Sequence, residues 1–225
     1  MRISILTICP EIFGSFLKSP LISRGEREGK QKTEIVDIRD FADGCFRKVD
    51  DSPYGGGAGM ILRMEPVLKA ISSVRTENSY IAALTPAGCR YDQKKARELS
   101  RKEHLILLCG HYEGIDERIY SYTDELISIG DYVLTGGELP AMVIADSVLR
   151  LCEGGIRRES LREESFDRDL LEYPQYTRPA VFEGLSVPEV LLSGNHEAIR
   201  KWREQEALRL TRERRPDLLD DTGRR

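Results

Sequence analysis

No apolar run in the chain approaches the roughly 20 residues that span a bilayer. The opening Met1-Arg2-Ile3-Ser4-Ile5-Leu6-Thr7-Ile8 has too short an apolar core for a signal peptide and reads as a first strand. Neither a membrane protein nor an exported one is expected, and a cytoplasmic location follows. Cysteine is sparse: Cys9, Cys45, Cys89, Cys109 and Cys152 are odd in number and widely spaced, with no CxxC pair. That argues against a disulfide framework or a zinc site and fits a reducing compartment. Cys9 and Cys109 are read as small hydrophobes in apolar strands. His104, His111 and His196 lack metal-ligand spacing, so no metal site is expected. There is no Gly-Lys-Ser/Thr phosphate loop, no acid about 20 residues beyond a GxGxxG, and no Gly-x-Ser-x-Gly elbow. Those absences set aside nucleotide hydrolysis, dinucleotide redox chemistry and serine-hydrolase chemistry. A net charge of −4 argues against bulk electrostatic binding of nucleic acid, while leaving room for local patches.

What is present is alternation. Short apolar runs at 2–8, 33–38, 80–84, 104–109 and 126–129 alternate with amphipathic stretches at 10–17, 65–75, 92–101, 116–122 and 138–152. Ala141, Ile144, Ala145, Val148, Leu149 and Cys152 recur at helical spacing in the last stretch. Buried strands alternating with helices predict βαβ units and a mainly parallel sheet, an α/β fold. Near residue 155 the character changes. Residues 157–169 are dominated by Arg, Glu and Asp and have little to bury, so a flexible linker or an active-site loop is expected. Beyond about 187 a small helical domain is expected. Its main helix should open near Gly194-Asn195, turn Ile199, Trp202 and Leu210 inward, and stop before Pro216. Residues 200–215 carry seven basic side chains against three acidic ones, a local charge of +4.

Four segments have the composition of ligand loops. Asp50-Asp51-Ser52-Pro53-Tyr54-Gly55-Gly56-Gly57-Ala58-Gly59-Met60 places four glycines in five residues, with acids and an aromatic beside them. No strand is expected to lead directly into it. Ala83 to Gly88 and Cys109 to Arg118 each follow a strand. Ser128 to Pro140 holds three glycines in thirteen residues, and Gly136-Gly137-Glu138 should feed a helix N-terminus whose free N–H groups can meet a polar ligand. In open α/β sheets ligands bind outside the carboxyl ends of the strands. One shared pocket is therefore expected, suited to a flat ring with polar edges and bound largely by backbone groups.

Several of these motifs, in this order, resemble the bacterial tRNA (guanine-N1-)-methyltransferase family of the SPOUT class. They are Asp51 to Met60, Gly110 to Arg118, Ser128 to Pro140, Tyr176-Thr177-Arg178-Pro179, and Leu191-Leu192-Ser193-Gly194-Asn195-His196. The resemblance runs from the N-terminus to about residue 216. It implies S-adenosylmethionine as methyl donor, and methylation of N1 of the guanosine just 3′ of the tRNA anticodon. It implies a C-terminal trefoil knot in the α/β domain, where periodicity alone predicts an ordinary open sheet. It implies a homodimer whose active sites both subunits complete, and it raises magnesium as an assisting ion. The implied organisation is a donor-binding knotted domain over 1–155, an active-site loop over 156–172 and a small helical tRNA-binding domain over 173–225.

Residue by residue, the resemblance assigns the donor to Leu84, Thr85 and Pro86, to Gly110, Tyr112 and Glu113, and to Ser128, Ile129, Gly130, Tyr132, Leu134, Gly136, Gly137 and Pro140. The target guanine falls to Asp50 and Gly59, and tRNA to the basic helix through Lys201 and Arg209. Arg150 matches the family's catalytic arginine. The family's catalytic acid is an Asp before a Ser-Phe pair, but Glu164 precedes Ser165-Phe166 here. Glu164 is thus the matched base, with Asp167 and Asp169 as nearby alternatives. Two other readings stand beside this one: another SPOUT RNA methyltransferase, and a non-catalytic RNA-binding protein.

Overall fold

A computed structural model describes residues 1–155, 164–166 and 169–219. These fall into two compact units, Met1–Ile156 and Arg157–Arg225. In the first, β1 (Arg2–Thr7) leads through a 3-10 turn at Pro10–Phe13 to α1 (Gly14–Leu17), α2 (Pro20–Arg27) and β2 (Lys32–Asp37). A further 3-10 turn (Ile38–Phe41) precedes the short pair β3 (Asp50–Asp51) and β4 (Ile61–Leu62). Then follow α3 (Met64–Val74), β5 (Ser79–Arg90), α4 (Gln93–Leu99), β6 (His104–Cys109), a 3-10 turn at Glu117–Tyr122, β7 (Glu125–Ser128) and α5 (Glu138–Leu149).

Five strands form one parallel sheet in the order β2-β1-β6-β5-β7. Alternation along the strands divides the core in two. Ile3, Ile5, Leu105, Leu107 and Ala82 face Phe13, Ile22, Leu99 and the apolar side of α5. Leu6, Ile106, Leu108, Ile81 and Ala83 face Val67, Ala70 and Ile71 of α3. A sheet covered on both faces needs apolar residues at every position, which is why its strands read as continuous apolar runs. His104, expected in the core, is buried and lies 2.8 Å from both Ser4 Oγ and Ser79 Oγ.

Four local expectations need correction. Cys9 lies just beyond the end of β1, half-buried, rather than in a strand. Two residues of strand, β3, do lead into the glycine loop, because Asp50 and Asp51 pair antiparallel with Leu62 and Ile61. Residues 117–122 wind as a 3-10 turn rather than an amphipathic α-helix. β5 continues to Arg90 instead of ending near 84, with its pairing to β7 broken between Leu84 and Cys89. Pro86 has no N–H to give the ladder, and the residues between Leu84 and Cys89 form a bulge opposite Ile127.

The second unit contains a two-stranded hairpin, β8 (Val181–Phe182) with β9 (Leu185–Ser186), then α6 (Glu189–Leu192) and α7 (His196–Arg214). Asn195 caps α7, its Oδ1 accepting from the N–H groups of Glu197 and Ala198. Leu210 is buried, while Ile199 and Trp202 are half-buried. Of the charged stretch at 157–169, residues 157–163 and 167–168 lie outside the described residues.

Candidate active site

The bulged segment within β5 and the loops that leave the carboxyl ends of β6 and β7 enclose one cleft of about 430 Å3. Leu84, Thr85 and Pro86 form one wall, and Gly110, Tyr112 and Glu113 a second. Ser128, Ile129, Gly130, Tyr132, Leu134, Gly136 and Gly137 form the third, with Pro140 from the first turn of α5. All of the residues expected to touch the donor thus line a single cavity. His111, Val133, Thr135, Tyr120 and Ile127 line it too, beyond the residues that the resemblance assigns to the donor.

Close backbone approach closes the cleft. The N–H of Gly137 donates to the Gly110 carbonyl at 2.8 Å. A Cβ on Gly137 would fall 2.6 Å from the Cα of Cys109, so α5 can start against β6 only with glycine there. Tyr112 holds a left-handed backbone, with φ of 59°. Such strain in a non-glycine residue persists only where its surroundings enforce it.

The glycine loop is stitched to the second wall of the cleft. Glu113 N–H donates to the Met60 carbonyl at 3.1 Å, Leu62 N–H to the Gly114 carbonyl at 3.0 Å, and Asp116 N–H to the Leu62 carbonyl at 3.0 Å. Gly59 has φ of +83°, and a Cβ there would lie 2.8 Å from Glu113 Oε1. Asp50 is half-buried opposite Leu62. The two residues expected to meet guanine therefore sit beside the cleft expected to hold the donor.

Arg150 is placed differently. It caps the far end of α5, its N–H donating to the Asp146 carbonyl at 3.1 Å. The helix begins at the cleft and has twelve residues, which rise about 18 Å. Within one chain the Arg150 backbone is thus a helix length from the donor walls. Its end of the helix is held by Gln31, whose Nε2 donates to the carbonyls of Leu149 at 2.9 Å and Glu153 at 3.1 Å.

In the second unit Glu164 is half-buried. The Oγ of the next residue, Ser165, accepts from the N–H of Glu172 at 3.0 Å, and Leu171 N–H donates to Thr211 Oγ1 of α7 at 2.9 Å. Asp169 is exposed, and Asp167 lies outside the described residues. On α7, Lys201 is exposed. Arg209 is also exposed, but its guanidinium donates to Glu206 at 2.7 Å and to Glu213 at 2.8 Å. Its positive charge is therefore locally offset. Trp202 stands 6.4 Å from Tyr176, ring to ring.

One cluster had no signal in the sequence. Cys9, His111 and Glu138 bring a sulfur, a ring nitrogen and a carboxylate oxygen to within 4.8 Å of one another. Burial and then the Glu138 carboxylate push the Cys9 thiol upward, and burial raises the Cys109 thiol well above its usual value. Positions 9, 111 and 138 are too far apart for any spacing rule to join them.

A parallel sheet with a glycine-walled cleft at the carboxyl ends of its strands defines an α/β protein built to hold a small polar-edged molecule. Comparison with known proteins narrows the class. The family described as tRNA (Guanine-1)-methyltransferase TrmD matches residues 1–221, and the chain belongs to it. Among similar proteins, the tRNA (guanine-N(1)-)-methyltransferase of Dictyoglomus turgidum is 52% identical over 99% of this chain and 91% of its own length. The protein of that name from Geobacillus kaustophilus is 54% identical over 98% and 92%. The one from Clostridioides difficile is 52% identical over 97% of both chains. None of the described helices is long and apolar enough to cross a membrane.

Proposed function

We propose that this protein transfers a methyl group from S-adenosylmethionine to N1 of a guanosine in tRNA, the one immediately 3′ of the anticodon. The observation that carries the reading is the joining of the Gly59 loop to the Glu113 loop. It sets the expected guanine site against the expected donor cleft.

The cleft suits the donor. Leu84, Ile129, Leu134 and Pro140 offer apolar surface for a flat ring, and the glycine-rich walls expose backbone groups to its polar edges. When bound, S-adenosylmethionine supplies an electrophilic methyl on a sulfonium, which leaves as a neutral thioether. The protein's task is to make N1 a nucleophile. Neutral guanine carries a proton there, so a carboxylate must take it as the N1–methyl bond forms and the methyl–sulfur bond breaks. Glu164 is the matched base, and Asp169 is the described alternative. Negative charge gathering on O6 is stabilised by the Arg150 guanidinium.

The helix-length separation of Arg150 from its own donor cleft supports an active site completed by a second copy of the chain, in a homodimer. The return of the chain from β7 at the sheet edge to α5 against β1 and β6 supports the trefoil knot. Exposed Lys201 and the basic α7 would follow the tRNA backbone, with Arg209 contributing once phosphate displaces its glutamates. Magnesium prefers oxygen ligands. The cluster found among the described residues offers sulfur and nitrogen as well, so no step is assigned to magnesium.

The test is methyl transfer from labelled S-adenosylmethionine to unmodified tRNA transcripts carrying G or A just 3′ of the anticodon. Label entering only the G transcript, and lost in Glu164→Gln while donor binding persists, is the expected result. Donor binding with no transfer to either transcript would favour another RNA target or a binding role.

A further inference from the structure

We propose that Cys9, His111 and Glu138 form a binding site for a zinc-like divalent cation beneath the donor cleft. The proposal is independent of the tRNA reading.

The three donors come from three elements. Cys9 follows β1, His111 follows β6, and Glu138 opens α5. Their ligand atoms all lie within 4.8 Å of one another. A tetrahedral zinc ion holds sulfur at about 2.3 Å and nitrogen or oxygen at about 2.0–2.2 Å. A contraction of about an ångström would bring these atoms onto such an ion.

Two features point to a ligand rather than to packing. The first is unsatisfied polarity. Glu138 is 4% exposed, and a buried carboxylate is costly unless it is well partnered. Its Oε1 accepts from Thr7 Oγ1 at 2.7 Å. Its Oε2 stands 3.7 Å from His111 Nδ1, beyond hydrogen-bond range. That nitrogen is buried with no hydrogen-bond partner. The second feature is space. A Cβ on Gly136 would fall 2.6 Å from His111 Nδ1 and also against Glu138 Oε2. Gly136 therefore keeps side-chain volume out of the gap between the two donors.

The surroundings resemble those of a supported metal site. Thr7 Oγ1 also accepts from the backbone N–H of Cys9 at 2.9 Å. One hydroxyl thus orients both the Cys9 backbone and the Glu138 carboxylate, as outer partners do around bound metals. His111 lines the donor cleft, which gives an ion a way in and leaves a fourth position for water. Thiolate with imidazole selects zinc or cobalt(II) over magnesium or calcium. Such an ion would tie the ends of β1 and β6 to the start of α5, where two walls of the cleft meet.

The experiment uses the full chain, stripped with a chelator and titrated with cobalt(II) alone. The expected result is a thiolate-to-cobalt charge-transfer band with tetrahedral visible bands, bleached by zinc. It should be retained in a Cys45→Ser/Cys89→Ser variant and lost in Cys9→Ser. Zinc should raise the melting temperature of the unsubstituted protein but not that of Cys9→Ser. Absence of the band from the unsubstituted protein would overturn the site, as would its persistence in Cys9→Ser. If Cys9→Ser fails to fold, X-ray absorption on the zinc-loaded unsubstituted protein decides. One sulfur at about 2.3 Å with nitrogen and oxygen at about 2.0–2.2 Å supports the site. A shell of nitrogen and oxygen only, or of several sulfurs, overturns it.

Discussion

Gly59 and Glu113 touch so closely that a methyl group added to the glycine would lie 2.8 Å from the glutamate's Oε1. The expected acceptor loop and the expected donor wall are therefore in direct contact. Gly59→Ala adds the clash to a positive φ of 83°, at a cost of about 1–2 kcal/mol in backbone strain. We expect methyl transfer to fall at least tenfold while the melting temperature drops only modestly. Single-turnover kinetics beside a melting curve would check this. Unchanged kinetics would detach the loop from the reaction.

Arg150 gives a sharper prediction. If each site borrows this arginine from a second copy, Arg150→Ala and a cleft-filling Leu134→Arg should each be inactive alone. Mixed, refolded subunits should regain about a quarter of full activity, because half the dimers then hold one intact site of two. No recovery from mixed subunits that do form dimers would place the arginine's role within its own chain.

Gln31 holds the Arg150 end of α5 through the Leu149 and Glu153 carbonyls. Gln31→Ala leaves the buried Leu149 carbonyl short of a donor, which costs about 1–3 kcal/mol. We expect a comparable loss in denaturant unfolding, with kcat lowered more than donor affinity. Equal loss of both would make Gln31 purely structural.

Acid should weaken the sheet in two stages. Burial and the nearby Arg2 push His104 below its usual 6.5, so below that pH the unfolded chain takes up a proton that folded His104 resists. Burial of Glu34 is outweighed by hydrogen bonds from Ser4, Arg2 and Lys32, which hold its carboxyl down at about 2 against an ordinary 4.5. Its contribution is complete above pH 4.5 and is lost as pH falls towards 2, an amount of roughly 2–3 kcal/mol. Urea midpoints measured from neutral pH downward should therefore fall twice. Glu34→Gln should flatten the lower step alone, and an unaltered lower step would assign it to other carboxyls.

On α7, Lys201→Ala should weaken tRNA binding and reduce the salt dependence of log K by about one unit of slope. Arg209→Ala should do less, because Glu206 and Glu213 already offset its charge. Equal effects in a filter-binding series across salt would mean that the glutamates swing away when tRNA binds.

The strands of the sheet were legible because a doubly covered parallel sheet needs unbroken apolar runs, and the cleft was legible because ligands collect at the ends of such strands. α2 was missed. Gly25 dilutes its helical pattern, yet that glycine makes room for Gln31, since a Cβ there would collide with the Gln31 side chain. The only local cue was Ser19-Pro20, with proline at the first helical position. The overrun of β5 escaped because Thr85-Pro86 reads as a strand end, while Cys89 and Arg90 rejoin β7 only through tertiary pairing. The Cys9–His111–Glu138 cluster was illegible for the same reason: only the folded sheet brings those three positions together.

The interior place of β1, between β2 and β6, has a consequence for biosynthesis. β1 pairs Ile3 with Leu105, a partner translated about a hundred residues later. At roughly 5–20 residues per second, the strand waits some seconds beyond the synthesis of β2, its partner on one side, before β6, its partner on the other, exists. Nascent-chain chaperones should therefore engage this protein early, and release it only once residues beyond Cys109 have emerged.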